Sequence, residues 1–188
     1  MNKEIELNKW QERNGYRIPD QYNNYTIGQL EVMSAKGDML ATTQIGLLKL
    51  QDYNPVAAEP YFEKAVAQGS IFAAGQASLM YDPDGPIVAS IKREAKNSSF
   101  EGDRLKAFLW AKIAADRGET DALVGVALHG KHYSAEERLR LEKLASLRFD
   151  VLSKQYESLN GTPFRKDAQP EWLPPDWDEA ILQQVDKK

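Results

Sequence analysis

The sequence predicts an all-α fold in which antiparallel helix pairs stack into a short array, with a non-repeat helix capping each end. Two observations lead to this prediction: a glycine-centred pattern that recurs along the chain, and amphipathic segments with helix-capping residues outside it. With 188 residues and 42% apolar content, the chain is long enough for one domain with a continuous core.

The pattern occurs three times, as a glycine with alanine four residues later and a small residue five positions beyond that alanine. Its members are Gly37, Ala41 and Gly46, then Gly69, Ala73 and Ser78, then Gly118, Ala122 and Ala127. The second and third copies also agree at three positions before the glycine. These positions hold Ala58 and Ala107, Tyr61 and Trp110, and Ala65 and Ala114. This agreement indicates an internal repeat.

The chemistry of the repeat explains why it forms helix pairs. Glycine ends a helix by adopting the left-handed conformation that other residues resist. The next helix begins within a few residues and must run back along the first. Small residues at fixed spacing let the two backbones approach, and Tyr61 or Trp110 fills the space between successive pairs. One pair cannot bury its apolar face alone, so neighbouring pairs must stack.

The pattern Ala-x-x-aromatic-x-x-x-Ala-x-x-x-Gly-x-x-x-Ala, followed by a small residue and then Leu or an aromatic, resembles the Sel1-like repeat, a bacterial relative of the TPR. The resemblance covers residues 26–130 and is best in 55–80 and 104–128. It implies a short right-handed α-solenoid whose concave surface holds a protein or peptide partner.

The spacing of the repeats is irregular. Gly37 and Gly69 are 32 residues apart, whereas Gly69 and Gly118 are 49 apart. The 17 additional residues fall within an insertion at 81–103, which opens with the strong turn signal Tyr81-Asp-Pro-Asp-Gly-Pro86.

Pro60 is a second irregularity, because a proline inside a helix removes a hydrogen bond and bends the helix. A helix is still predicted there, since Asn54 is a favourable N-cap and Pro55 a favourable first residue.

An amino-terminal cap is predicted in residues 1–25. It contains an amphipathic helix over Lys3–Arg13, whose apolar members Ile5 and Trp10 are expected to pack on the first repeat.

A carboxy-terminal cap is predicted in residues 131–161, as a long helix that opens with the capping box Ser134-Ala-Glu-Glu137 and ends at Asn160-Gly161. Its predicted apolar face consists of Leu139, Leu141, Leu144, Leu147 and Val151.

Residues 162–188 form a proline- and tryptophan-rich tail, predicted to be extended or turning up to a last short helix that ends near Gln184. Trp172 and Trp177 are costly to leave in water because each carries a large apolar area. We expect them to dock the tail on the preceding helix, and a partner-binding role is the alternative.

A partner groove is expected on the helices predicted at 39–50, 70–81 and 120–129, because one helix of each pair lines the groove in TPR-like arrays. Seven positions after each glycine these helices carry Gln44, Gln76 and Gly125. Gln44 and Gln76 are predicted to contact the partner, with Trp172 and Trp177 as further candidates.

Other positions in these helices are predicted to be structural. Leu47, Leu79 and Leu128, ten positions after each glycine, are predicted to be core, and Gly75 and Gly125 to mark close helix contacts.

Catalytic or metal chemistry would have to use the only two histidines, His129 and His132, with Glu136 nearby. A His-x-x-His pair can bind zinc when both rings share a helix face, but this spacing crosses Gly130. A surface turn is the favoured interpretation. The sequence carries no nucleophile-elbow, phosphate-loop or dinucleotide-binding motif, so no catalytic residue, metal or cofactor is assigned.

The composition narrows the class of partner. A net charge of −4 and a pI of about 5.3, with both signs mixed, argue against nucleic acid. The lack of cysteine excludes disulfides and thiolate zinc sites, and it suits the cytosol and the periplasm alike. No apolar stretch is long enough to insert into a membrane, and no signal peptide opens the sequence.

The opening Trp10, followed by Asn14-Gly15-Tyr16, resembles a group of bacterial Sel1-like proteins, many of them exported. A periplasmic mature form, with its signal removed, is therefore favoured over a cytoplasmic protein.

The leading functional prediction is a non-catalytic scaffold that binds a protein or peptide. The resemblance implies a specific form of this role, an immunity or inhibitor protein that blocks a secreted toxin, because some Sel1-like proteins resemble such a protein. The acidic balance also suits a basic partner. Two alternatives remain: a hydrolase that uses His129, His132 and Glu136, and a structural adaptor in envelope maintenance.

Overall fold

The computed structural model describes residues 3–95 and 99–170, and in these ranges it is all-helical, as predicted. It contains nine α-helices and a short 3-10 helix (Asp20–Asn24), with no strand in the described ranges. The α-helices are α1 (Lys3–Arg13), α2 (Ile27–Ala35), α3 (Met39–Gln51), α4 (Pro55–Ala67), α5 (Ile71–Tyr81), α6 (Pro86–Glu94), α7 (Arg104–Arg117), α8 (Ala122–Gly130) and α9 (Ala135–Asn160). None of these helices is long and apolar enough to cross a membrane.

Local sequence sets most helix starts through side-chain caps, in which an oxygen accepts a hydrogen bond from a backbone N–H of the first turn. These caps are Thr26, Asp38, Asn54, Ser70, Asp103 and Ser134. The predicted Asn54–Pro55 start of α4 is confirmed, and α4 continues through Pro60. The predicted capping box of Ser134 and Glu137 is also confirmed.

Helices that follow one another along the chain also pack together, from α2 through α3 and α4 to α5. The insertion at 81–103 forms α6, which packs beside α5, and the backbone N–H of Asp103 donates to the Tyr81 carbonyl at 2.8 Å. This bond closes the base of the insertion, so α5 still packs directly on α7, and α7 on α8. The long helix α9 returns along the array to contact both α7 and α4.

The apolar face predicted for α9 is wrong at four of its five positions. Leu141 is buried, but Leu139, Leu144, Leu147 and Val151 are about half exposed or more. The buried face instead carries Leu141, Ala145 and Leu152. On the inner side the Arg148 guanidinium lies 4.8 Å from the Trp110 ring centroid and pairs with Glu63 at 2.9 Å. Charged and small residues therefore form part of the contact with α4 and α7, which the spacing of leucines does not reveal.

The prediction for α1 holds for Trp10 and fails for Ile5. Trp10 is buried in the main apolar cluster, built largely from α4, α5 and α7, with its ring centroid 5.0 Å from that of Tyr16. Leu47 and Leu50 of α3, in the first repeat, pack against the same cluster. Ile5 is half exposed.

The first residues of the tail, up to residue 170, have no helix or strand, and residues 167–169 lie along the end of α7. The backbone N–H of Asp167 donates to the Arg117 carbonyl, and that of Gln169 to the Gly118 carbonyl, both at 2.9 Å. Gly118 has a φ of +114°, and a Cβ there would lie 2.6 Å from the Asp167 carbonyl oxygen. Only glycine both adopts this positive φ without strain and leaves room for the Asp167 carbonyl. Trp172 and Trp177 lie outside the described residues.

Candidate functional site

An open cavity of about 270 Å³ lies between α5 and α8, and we call it the α5–α8 groove. Its walls are Gly75, Ser78, Leu79, Val124, Gly125 and Leu128, with Ala111 of α7 at its base and Asp82, Glu119, Asp121, Ala122 and His129 at its ends. Two of the three helices that the sequence predicts to line a groove, at 70–81 and 120–129, therefore do share a cavity.

Small residues allow the helices around the groove to approach. A Cβ at Gly125 would lie 3.2 Å from the Ala111 Cβ, so the predicted close helix contact at Gly125 is confirmed between α8 and α7. A Cβ at Gly75 would lie 3.3 Å from Oε2 of Glu119, so this glycine faces the loop before α8 instead. The Ser78 hydroxyl donates to the Ala107 carbonyl at 2.9 Å and ties α5 to α7.

The leucines of the groove contradict the prediction that they are core. Leu79 is 49% exposed and Leu128 is 40% exposed, while Leu47 is partly buried against the main cluster. The cause is that α5 and α8 both pack on α7 but have no extensive contact with each other, so side chains on the sides that border the groove stay exposed. Leu79 and Leu128 therefore present apolar side chains on opposite walls of the same opening.

Three carboxylates contribute to the groove: Asp82 at the end of α5, and Glu119 and Asp121 before α8. Burial raises the pKa of Glu119 to about 7, a neighbouring Tyr16 hydroxyl opposes this shift, and the charge of Asp121 adds to it. The Tyr16 hydroxyl is close enough to the Glu119 carboxyl to affect its pKa, but neither that hydroxyl nor Oε2 of Glu119 forms a hydrogen bond of normal geometry among the described residues. Glu119 is thus a mostly buried carboxyl with no cationic neighbour in the described part of the chain.

The three residues of the histidine site considered from the sequence differ in their environments. His129 is buried at the groove, and burial lowers its pKa, whereas His132 is exposed. Glu136 is exposed and pairs with Arg140 of the next turn at 2.5 Å. Within the described ranges, no three or more His, Cys, Asp and Glu side chains are grouped so that they could hold a metal ion.

The two glutamines predicted to contact a partner differ in environment. Gln44 is buried, and its side-chain amide donates to Oδ1 of Asn23 at 3.0 Å, so it has little surface to offer. Gln76 is partly exposed on α5, next to Gly75. The structure brings neither glutamine into the α5–α8 groove.

Sequence reasoning missed Glu119, although its position directly after the repeat glycine was known. A glutamate in a loop between helices is normally solvated, whereas Glu119 is largely buried and lies beside Tyr16 from the distant amino-terminal segment. Comparison of the chain with models of protein families, with curated proteins and with solved structures gave no match.

Proposed function

We propose that the protein is a non-catalytic interaction scaffold, a Sel1-like α-solenoid of antiparallel helix pairs that binds a protein or peptide through the α5–α8 groove. The observation that carries the proposal is the pair Leu79 and Leu128, both strongly exposed, on opposite walls of one cavity. The glycine-centred repeat supports the architecture, because it supplies the alternation of helix ends and small contact residues that stacked pairs need.

Apolar contact would supply most of the binding free energy. Burying a leucine side chain is worth about 1.5–3 kcal/mol, and Leu79 and Leu128 each have roughly half of that still to gain. Val124 and Ala122 extend the same surface. A partner that inserts one apolar side chain between the two leucines would contact both walls at once.

Charge would select the partner. Asp82, Glu119 and Asp121 lie at the ends of the groove, and none of the described residues that line it is a lysine or arginine. A lysine or arginine beside the inserted apolar residue would supply the counter-charge that Glu119 lacks. We therefore infer a partner segment that combines apolar and basic side chains.

A specific form of this proposal is an immunity or inhibitor protein that blocks a secreted toxin. The acidic groove and the net charge of −4 support it, because both favour association with a basic protein.

A displayed library of random peptides, selected on the full chain, tests the groove without knowledge of the natural partner. Enriched peptides are expected to carry an apolar residue next to lysine or arginine. Leu79→Asp with Leu128→Asp should weaken their binding at least about tenfold, measured by calorimetry. The matched control is Leu144→Asp with Leu147→Asp on α9, outside the groove, which should bind as the wild type does.

The proposal fails if peptides selected in this way bind the groove variant and the wild type equally. It also fails if the α9 control loses as much affinity as the groove variant, because the binding surface then lies on α9.

A further inference from the structure

A second cavity, about 480 Å³ in volume, lies on a different part of the molecule, where the ends of α4 and α7 meet the extended residues 162–167. We call it the Arg117 cavity. It is lined by Arg13, Asn14, Gln68, Gly69, Arg117, Tyr156, Thr162, Pro163, Arg165, Lys166 and Asp167. Its volume falls in the range of small-ligand sites, about 300–1,000 Å³.

Arg117, the last residue of α7, is a buried guanidinium with unused donors. The residue is 6% exposed, and Nη2 donates to the Gly69 carbonyl at 3.3 Å. Nε and Nη1 are buried, and neither has a hydrogen-bond partner among the described residues. Buried donors of a charged group are costly to leave unpaired.

The side chain keeps its charge. Burial lowers the pKa of Arg117, but only to about 10, so the guanidinium is protonated at neutral pH. The Phe164 ring centroid lies 4.0 Å from it and the Tyr156 centroid 5.9 Å, and both aromatic faces offset part of the desolvation. Aromatic faces give no acceptor to Nε and Nη1, so a counter-ion is still required.

The carboxylate that lines the cavity with Arg117 is that of Asp167, and it is hydrogen-bonded to other residues. Asp167 accepts hydrogen bonds from the Arg13 guanidinium at 3.1–3.3 Å and from the Asn14 amide at 2.8 Å. Arg117 forms no ion pair with a carboxylate in the described part of the chain. Arg165 and Lys166 add two further positive charges to the lining. Four cationic side chains thus surround the cavity with one carboxylate, which Arg13 already neutralises.

We propose that the Arg117 cavity binds an oxyanion group, the phosphate or carboxylate of a small ligand, through the Arg117 guanidinium, whose Nε and Nη1 are covered in this structure and become available when the ligand displaces the covering side chains. Planar guanidinium donors match two oxygens of such a group at once. Arg165 and Lys166 contribute attraction from the rim.

The competing account is that Arg117 only satisfies the carbonyl at the end of α4 and packs on Phe164. Thermal unfolding and calorimetry of the full chain, titrated with inorganic phosphate, pyrophosphate and succinate at matched ionic strength, separate the two accounts. We expect at least one of these anions to raise the melting temperature at millimolar concentration, and the phosphate and succinate series identify which oxyanion is preferred.

Arg117→Gln should weaken anion binding at least about tenfold, because it removes the charged donors. Arg140→Gln is the control, since Arg140 is exposed on α9 and pairs with Glu136, and it should bind as the wild type does. If Arg117→Gln does not fold, Arg165→Gln with Lys166→Gln tests the same site from its exposed rim and should weaken binding several-fold.

The proposal is overturned if none of the three anions shifts the melting temperature beyond matched chloride. It is also overturned if the shift survives Arg117→Gln, or survives the rim variant when that is the only one that folds.

Discussion

The indole N–H of Trp10 donates a 2.7 Å hydrogen bond to the backbone carbonyl of Asp167, joining residues 157 positions apart. The Asp167 carboxylate binds Arg13 and Asn14 at the same place. The amino-terminal helix and the start of the tail therefore meet at the end of α7, and this contact holds α1 and residues 167–169 together there.

Trp10→Phe tests this contact. It removes the hydrogen bond to Asp167 and part of a buried side chain, so the free energy of unfolding should fall by about 1–3 kcal/mol in urea denaturation. Ile5→Ala lies on the same helix but is half exposed, and its effect should stay within about 0.5 kcal/mol. If both variants lost the same free energy of unfolding, Trp10 would contribute no more to the docking of α1 than an exposed residue of the same helix does.

Gly118→Ala separates backbone strain from docking of the tail. Gly37 and Gly118 both have positive φ, +93° and +114°, but a Cβ meets nothing within 4 Å at Gly37 and meets the Asp167 backbone at Gly118. Gly37→Ala should cost about 1 kcal/mol from strain alone, and Gly118→Ala about 2 kcal/mol or more. Hydrogen exchange should show faster exchange of the Asp167 and Gln169 amides in Gly118→Ala only.

Leu141→Ala and Leu147→Ala test which side of α9 is buried. Leu141 is 6% exposed and Leu147 is 63% exposed, so denaturant unfolding should show a loss of about 2–4 kcal/mol for the first and less than about 0.5 kcal/mol for the second. A large loss of stability in Leu147→Ala would show that Leu147 is buried, as the leucine spacing predicts.

Glu119→Gln should stabilise the protein increasingly as pH rises. Because the folded-state pKa is about 7 against an ordinary value of 4.5, the folded protein retains a proton that the unfolded chain releases, and stability falls between these pH values. The glutamine variant should therefore gain up to about 3 kcal/mol over the wild type between pH 4.5 and 8, by urea unfolding at several pH values.

Glu142→Gln, on the exposed face of α9, is the control for the change in net charge. Its difference from the wild type should vary much less over the same range. A flat profile for Glu119→Gln would show that the carboxyl is solvated.

Local sequence determined the helical class, most helix starts and several helix ends. Helix ends are set by caps such as Asn54 and Ser134 and by glycines such as Gly118 and Gly161. These residues act through hydrogen bonds and backbone angles within about four residues, so each helix end can be predicted from its own short segment of sequence. The helix in the insertion was not predicted, although the turn before it and Pro86 were visible signals.

Tertiary structure alone decided which helix faces are buried and which charged groups are desolvated. Leu79 and Leu147 follow helical spacing as well as Leu141 does, and only the position of neighbouring helices exposes the first two. Glu119 lies beside Tyr16, and Arg117 lies against Phe164 and the tail segment, so both environments depend on residues far apart in sequence. Burial is a property of the opposing surface, so both candidate binding sites became visible only once the helices were packed.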